Sequence, residues 1–177
     1  MVILDFFKNA LNLKNISRQG WIDKLSMENP ESVADHSYSM AIMGMVISDL
    51  ENYDSEKMLK MILLHDLAES KIGDYTPNQI SKENKTKIEN NAYDEIISTL
   101  PDTIKLQYGK IWEEYQKQES PESIIVHQID KLEMVLQAKM YQKGGAPTEA
   151  VESFFKSAES GITHPKLKEI LNQILQD

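Results

Sequence analysis

The sequence predicts an all-α protein, and three observations predict it. Apolar residues recur at helical spacing in the long segments, capping residues and Gly/Pro punctuation divide those segments, and none alternates convincingly with the period of two that marks a strand. Residues 2–13 read as a first amphipathic helix. Residues 14–30 read as irregular and end at Pro30, which suits the first turn of the following helix. Across 31–51, Val33, His36, Met40, Met43, Ile47 and Leu50 are spaced 3, 4, 3, 4 and 3, one inward stripe that carries His36 toward the core. Asp54-Ser55 caps a helix over 55–69. Its stripe Met58, Ile62, His65 and Glu69 stands beside a second row of Leu59, Leu63 and Asp66. Gly73 ends that helix, and G-D-Y-T-P-N-Q over 73–79 is a turn-rich loop. Polar helices follow over 81–99 and 102–118, parted by Pro101. Ser120 opens a helix running to about 141, closed by Gly144-Gly145-Ala146-Pro147. Helices over 148–160 and 165–176 finish the chain. At 177 residues the expectation is a single domain over 1–177, its motif-bearing core at 15–142 and the last two helices packed on it.

Composition narrows the function. The chain has no cysteine, which excludes disulfides, thiolate nucleophiles and cysteine-held zinc. No apolar run approaches the length needed to span a bilayer, and Asp5 and Lys8 interrupt the apolar start, so an amphipathic helix is expected there and not a signal peptide. The expectation is a cytoplasmic protein with no membrane partner. A net charge of -9 opposes binding to a nucleic-acid polymer, although a small anion can be received locally by a few cations and a metal.

The chemistry centres on His65-Asp66 inside M-L-K-M-I-L-L-H-D-L-A-E. The residues before Asp66 are mostly Met, Leu and Ile, so an unpaired charge there costs several kcal/mol or more, about the price of any unpaired buried ion. No basic residue lies one helical turn away on the same face, and a divalent cation is the economical partner. His36, on the inward stripe, and Asp130, between Val126 and Met134, complete a set of two imidazoles and two carboxylates. Such a set suits Mn or Co first, and also Mg, Zn, Fe or Ni. A lone histidine on an apolar face is more often a satisfied core residue; here several inward polar groups coincide, and burying them without a metal demands several compensating partners.

The order His…His-Asp…Asp on helices resembles the HD-domain metal-dependent phosphohydrolases. R-Q-G-W at 18–21, E-S-V-A-D-H at 31–36, H-D-L-A-E at 65–69, G-D-Y-T-P at 73–77 and I-D-K-L-E-M-V-L-Q-A at 129–138 are similar to the 5′-deoxynucleotidase branch of that superfamily. Carried over by position, the resemblance implies His36, His65, Asp66 and Asp130 as metal ligands. It implies Glu69 as catalytic acid/base with Asp74 beside it, and Asp74, Tyr75, Thr76 and Pro77 as the substrate loop. In some relatives a second divalent ion lies near the positions of Glu69, Asp74 and Tyr75. Arg18 is expected to fork onto phosphate; it sits in a loop with few acidic neighbours. In the bacterial branch the tryptophan that excludes a ribose 2′-hydroxyl directly follows the arginine. Here Gln19-Gly20 intervene, so Trp21 is expected to pack against the sugar while deoxyribose preference stays open, with a core aromatic as its alternative.

Three other features take plain readings. His127, on the face of Asp130, is expected to be a neighbour of the site or a surface residue, His164 a turn residue, and the lysine-rich 81–87 a solvated helix start. The expected activity is hydrolysis of (deoxy)nucleoside 5′-monophosphates by a homodimer. Two rivals are a phosphohydrolase of cyclic or polyphosphorylated nucleotides, and a non-catalytic nucleotide-binding protein whose metal staples helices.

Overall fold

A computed structural model describes residues 3–177, and Val2, the first residue of the predicted N-terminal helix, lies outside the described residues. Short polar side chains set where the helices begin. Ser32 and Asp35 form a reciprocal capping box at the start of α3, Val33–Glu51. Asp54 accepts the Lys57 amide at the start of α4, Ser55–Leu64. Ser81 caps α6, Lys82–Ile97, and Ser120 caps α8, Pro121–Lys143. The remaining helices are α1, Ile3–Asn12; α2, Gln19–Leu25; α5, Glu69–Ile72; α7, Asp102–Lys117; α9, Thr148–Gly161; and α10, Pro165–Gln176. Among the described residues there is no strand, and one isolated bridge joins Ser17 to Ser32.

α8 is the central element. Ile125, Val126, Ile129, Leu132 and Val135 are buried along it. α3 and α4 pack on it and on each other, α9 and α10 cover another side, and α7 closes over α4. α5 joins α6 and α1, while α2 rests on α9. One large apolar cluster runs from Leu13 to Ile174. A smaller cluster of Trp21, Ala138 and Val151 sits under α2.

Four expectations need correction. The segment 14–30 is not all irregular. A 3-10 turn over Leu13–Asn15 and the seven-residue α2 lie in it, and so short a helix depends on tertiary packing. Pro30 precedes the N-cap Ser32 and so stands outside the first turn of α3. Leu50 is exposed and Met43 only half-buried, so the inward stripe of α3 ends at Ile47. The helix expected over 55–69 stops at Leu64. His65 Nδ1 donates to the Ile62 carbonyl at 2.6 Å, the acceptor that the Asp66 amide would use in a continuing α-helix. The chain tightens into three-residue turns, with Leu67 N bonded to Leu64 O, Glu69 N to Asp66 O and Ser70 N to Leu67 O. A 3-10 interruption of this kind commonly marks a functional segment.

Candidate metal centre

The tightened turn decides the geometry. At three residues per turn, Asp66 and Glu69 come into register on one side, whereas the α-helical reading aligned His65 with Glu69. His65 and Asp66 leave α4, His36 arrives from the first turns of α3, and Asp130 arrives from the middle of α8. His36 Nε2 lies 3.3 Å from Asp130 Oδ1 and 4.0 Å from Asp66 Oδ2, and His65 Nε2 lies 3.0 Å from that same Asp66 oxygen.

Both histidines are held in one tautomer by their second nitrogen. His36 Nδ1 meets Glu133 Oε2 at 2.6 Å, and His65 Nδ1 meets the Ile62 carbonyl. This leaves His36 Nε2, His65 Nε2 and Asp130 Oδ1 as buried atoms without a hydrogen-bond partner. His36, His65 and Asp66 each offer a ligand atom within 4.8 Å of the others. Neutral imidazole nitrogens steered by a carboxylate and a carbonyl, with two carboxylates opposite, fit a divalent cation.

A positive group from outside its own helix also meets Asp66, beside the divalent cation expected as its economical partner. Arg18 Nη1 is 3.2 Å from Asp66 Oδ2, and Nη2 is 4.0 Å from Asp130 Oδ1. Arg18 is therefore not in a region of few acidic neighbours; it stands at the N-cap of α2, mostly buried among carboxylates. Burial disfavours its charge, but Asp66 and Asp130 overcome that and strengthen its hold on the proton.

The charges around the centre push proton affinities apart. Burial alone raises the Asp66 carboxyl, yet His65, Arg18 and His36 hold it well below the usual carboxylate range. Asp130 falls to about 2: its burial is outweighed by the nearby His36 and Arg18. Burial and Arg18 oppose a second proton on His36, but Asp130 and Glu133 override them and push it up to about 9. Glu69 goes the other way. It is 2% exposed with Oε2 unpartnered, and burial together with Asp66 and Asp74 pushes its carboxyl well above the usual range. Two carboxylates three residues apart are thus pushed in opposite directions, a familiar mark of acid/base sites.

These groups open onto a cavity of about 700 Å³ lined by Arg18, His65, Asp66, Glu69, Asp74 and Asp130 among others. The 73–79 loop forms one rim and is clipped to α2: Gln19 N donates to Asp74 Oδ2 at 2.8 Å and Thr76 Oγ1 to Asp23 Oδ2 at 2.9 Å. Tyr75, Thr76 and Pro77 line the same rim. Trp21 borders the cavity but is 1% exposed. Its Nε1 donates to Glu31 Oε1 at 2.8 Å, and its ring packs 4.3 Å from Phe154 and 5.2 Å from Tyr141. The core-aromatic alternative describes most of its surface.

Several site residues escaped the sequence reading. Glu133 is three residues beyond Asp130, a spacing that could have shown it beside the centre. Glu31, pushed up to about 7 by burial and Glu133, links Trp21 to the same region. Lys85 is not a solvated helix residue. Its Nζ donates to the Tyr75 carbonyl at 3.0 Å and stands 3.6 Å from Glu69, 3.9 Å from Asp74 and 3.5 Å from Glu89. Its ammonium therefore sits among the oxygens to which the resemblance gives a second ion. Nothing local in the sequence distinguishes Lys85 from Lys82 or Lys87. His127 donates through Nε2 to the Tyr115 carbonyl at 3.0 Å, and burial lowers its proton affinity.

The chain is similar to known proteins over nearly its whole length. A family model described as HD domain matches residues 10–171. A protein of Dictyostelium discoideum named 5′-deoxynucleotidase HDDC2 is 39% identical over 98% of this chain and 97% of its own length. The human protein of that name is 34% identical over 97% of this chain and 84% of its own. Among solved structures, one from Pyrococcus horikoshii OT3 superposes with a TM-score of 0.81 at 31% identity, covering 97% of each chain.

Proposed function

The chain belongs to the HD-domain family, and from that premise we propose that it is a divalent-metal-dependent 5′-deoxynucleotidase, hydrolysing (deoxy)nucleoside 5′-monophosphates to nucleoside and phosphate. The observation that carries the reading is the convergence of the unpartnered His36 and His65 Nε2 atoms with Asp66 and Asp130 at the wall of the cavity. Relatives named 5′-deoxynucleotidase, matched over nearly the whole chain, support the substrate class.

His36, His65, Asp66 and Asp130 would hold the cation, Mn or Co first. When bound it supplies Lewis acidity to the phosphoryl group and lowers the pKa of water. The chain's own groups do the rest. Arg18 presents guanidinium N–H groups to phosphoryl oxygens, its orientation fixed by Asp66 and Asp130. As water attacks phosphorus and the P–O5′ bond breaks, the departing alkoxide needs a proton. Glu69 can supply one, because burial beside Asp66 and Asp74 favours its protonated form. Asp74 anchors the substrate loop to the first turn of α2, and Lys85 balances Glu69 and Asp74. Residues 1–177 act as one domain in this reading, in the cytoplasm. The chain pairs with a second copy through α3, whose outer face exposes Tyr38, Ile42, Met45, Val46 and Leu50.

The test is a panel of deoxy- and ribonucleoside 5′-monophosphates assayed for phosphate against several divalent ions. Release should disappear with chelator and return with Mn or Co. Release by protein shown metal-free by elemental analysis, or none with any ion, defeats the reading.

A further inference from the structure

Tyr115, on α7, lines the same cavity and takes no part in the scheme above. Its ring lies edge-on to His65 with centroids 5.6 Å apart, which places it beside the metal-ligand cluster. On its other side the His127 ring stacks nearly parallel, 4.1 Å away with 12° between planes. The His127 Nε2 bond to the Tyr115 carbonyl fixes that stack to the backbone of the residue it supports. Asp130, Asp66, Glu89 and Glu69 line the cavity with Tyr115. Among the described residues no group is hydrogen-bonded to its hydroxyl, and that atom is not among the sealed polar atoms of the interior.

The two cations nearest the centre already lie against carboxylates. Arg18 is held by Asp66 and Asp130, and Lys85 lies among Glu69, Asp74, Glu89 and the Tyr75 carbonyl. A wall rich in carboxylates repels a phosphate dianion, and a neutral O–H group can meet one without adding charge. We propose that the Tyr115 hydroxyl is a substrate-binding group that donates a hydrogen bond to a non-bridging phosphoryl oxygen, with His127 holding the ring in place. This rests on the phosphomonoesterase reading for the identity of the ligand. It also gives His127 its role: the ring is a support for Tyr115 and not a further metal ligand.

Tyr115→Phe removes the hydroxyl and keeps the ring, its stack and its packing. Inorganic phosphate binding to the cobalt-loaded protein is measured by calorimetry for wild type and Y115F, beside steady-state kinetics with a deoxynucleoside 5′-monophosphate. The Kd for phosphate and the KM should each rise about tenfold or more, the worth of a hydrogen bond to a charged group, while cobalt affinity and Tm stay unchanged. A Kd and KM within twofold of wild type overturn the assignment, since a core aromatic alone would leave both in place. If wild type binds phosphate but cleaves no nucleotide, the nucleotidase reading fails while the phosphate Kd still decides on Tyr115.

Discussion

At the scale of single residues, His36 carries a pH consequence that melting can read. It is fully buried, and Asp130 and Glu133 raise its proton affinity from 6.5 to about 9 in the metal-free chain. A group whose folded pKa is raised stabilises the fold fully below its unfolded pKa and loses that stabilisation as pH rises through the folded value. The metal-free protein should therefore lose Tm between pH 6.5 and 9. A cation needs the neutral imidazole and competes with that proton, so its affinity should rise by up to about tenfold per pH unit over the same window. Melts in chelator and in manganese across this range check both slopes; a Tm in chelator that climbs with pH would contradict the His36 environment. Glu69 is the second residue of consequence. Glu69→Gln keeps the size and polarity of a buried side chain but removes its transferable proton. Turnover should fall by about 10²-fold or more while metal affinity stays near wild type, the usual loss for a positioned acid. Turnover within a few-fold at every metal concentration would remove Glu69 from the chemistry.

At the scale of elements, the site depends on how closely α3 approaches α4, because His36 rides on one and His65 on the end of the other. Gly44 permits that approach. A Cβ built there would lie 2.3 Å from Ile62 Cδ1, and the Ile62 carbonyl is the group that orients His65. Gly44→Ala should therefore destabilise by about 1–3 kcal/mol from overpacking, against the roughly 1 kcal/mol gain in helix propensity that alanine brings elsewhere. Ile62→Val deletes the obstructing Cδ1. The double variant G44A/I62V should be more stable than the two separate losses predict, a coupling that chemical denaturation in a double-mutant cycle measures. Strict additivity would mean that the helices do not meet at this point.

For the whole molecule, charge and exposed apolar surface point to the same face. The chain carries a net charge of -9, so two copies repel unless they meet where charge is sparse. Positions 36–48 of α3 contain no Asp, Glu, Lys or Arg, and the outer face of the helix exposes Tyr38, Ile42, Met45 and Val46. A helix apolar on all sides is normally buried on all sides. A stable interface needs about 800 Å² from each partner, and these large side chains are the natural centre of such a patch. Light scattering should return twice the 20.3 kDa chain mass. Ile42→Asp with Val46→Asp should halve that mass and leave metal affinity intact. A wild-type monomer at all concentrations would rule out the pairing.

The sequence by itself determined the helical class and most helix limits, because spacing and caps are local properties of the chain, and it singled out His36, His65, Asp66 and Asp130, which the fold brings close together. It also brought Arg18, Glu69 and Asp74 into consideration, and the tertiary structure gathers them around one cavity. What the fold alone decided concerns partners. Arg18 meets Asp66 across 48 residues and His36 meets Glu133 across 97, and neither pairing has a periodicity that could announce it. The Trp21 ring is covered by α9, Lys85 reaches the 73–79 loop from α6, and Tyr115 stands against His65 and His127. Even the break at His65 arises from an imidazole taking a carbonyl that backbone propensity assigns to the next amide. Periodicity gives the direction in which a side chain leaves its helix; which group it meets there depends on how the helices pack.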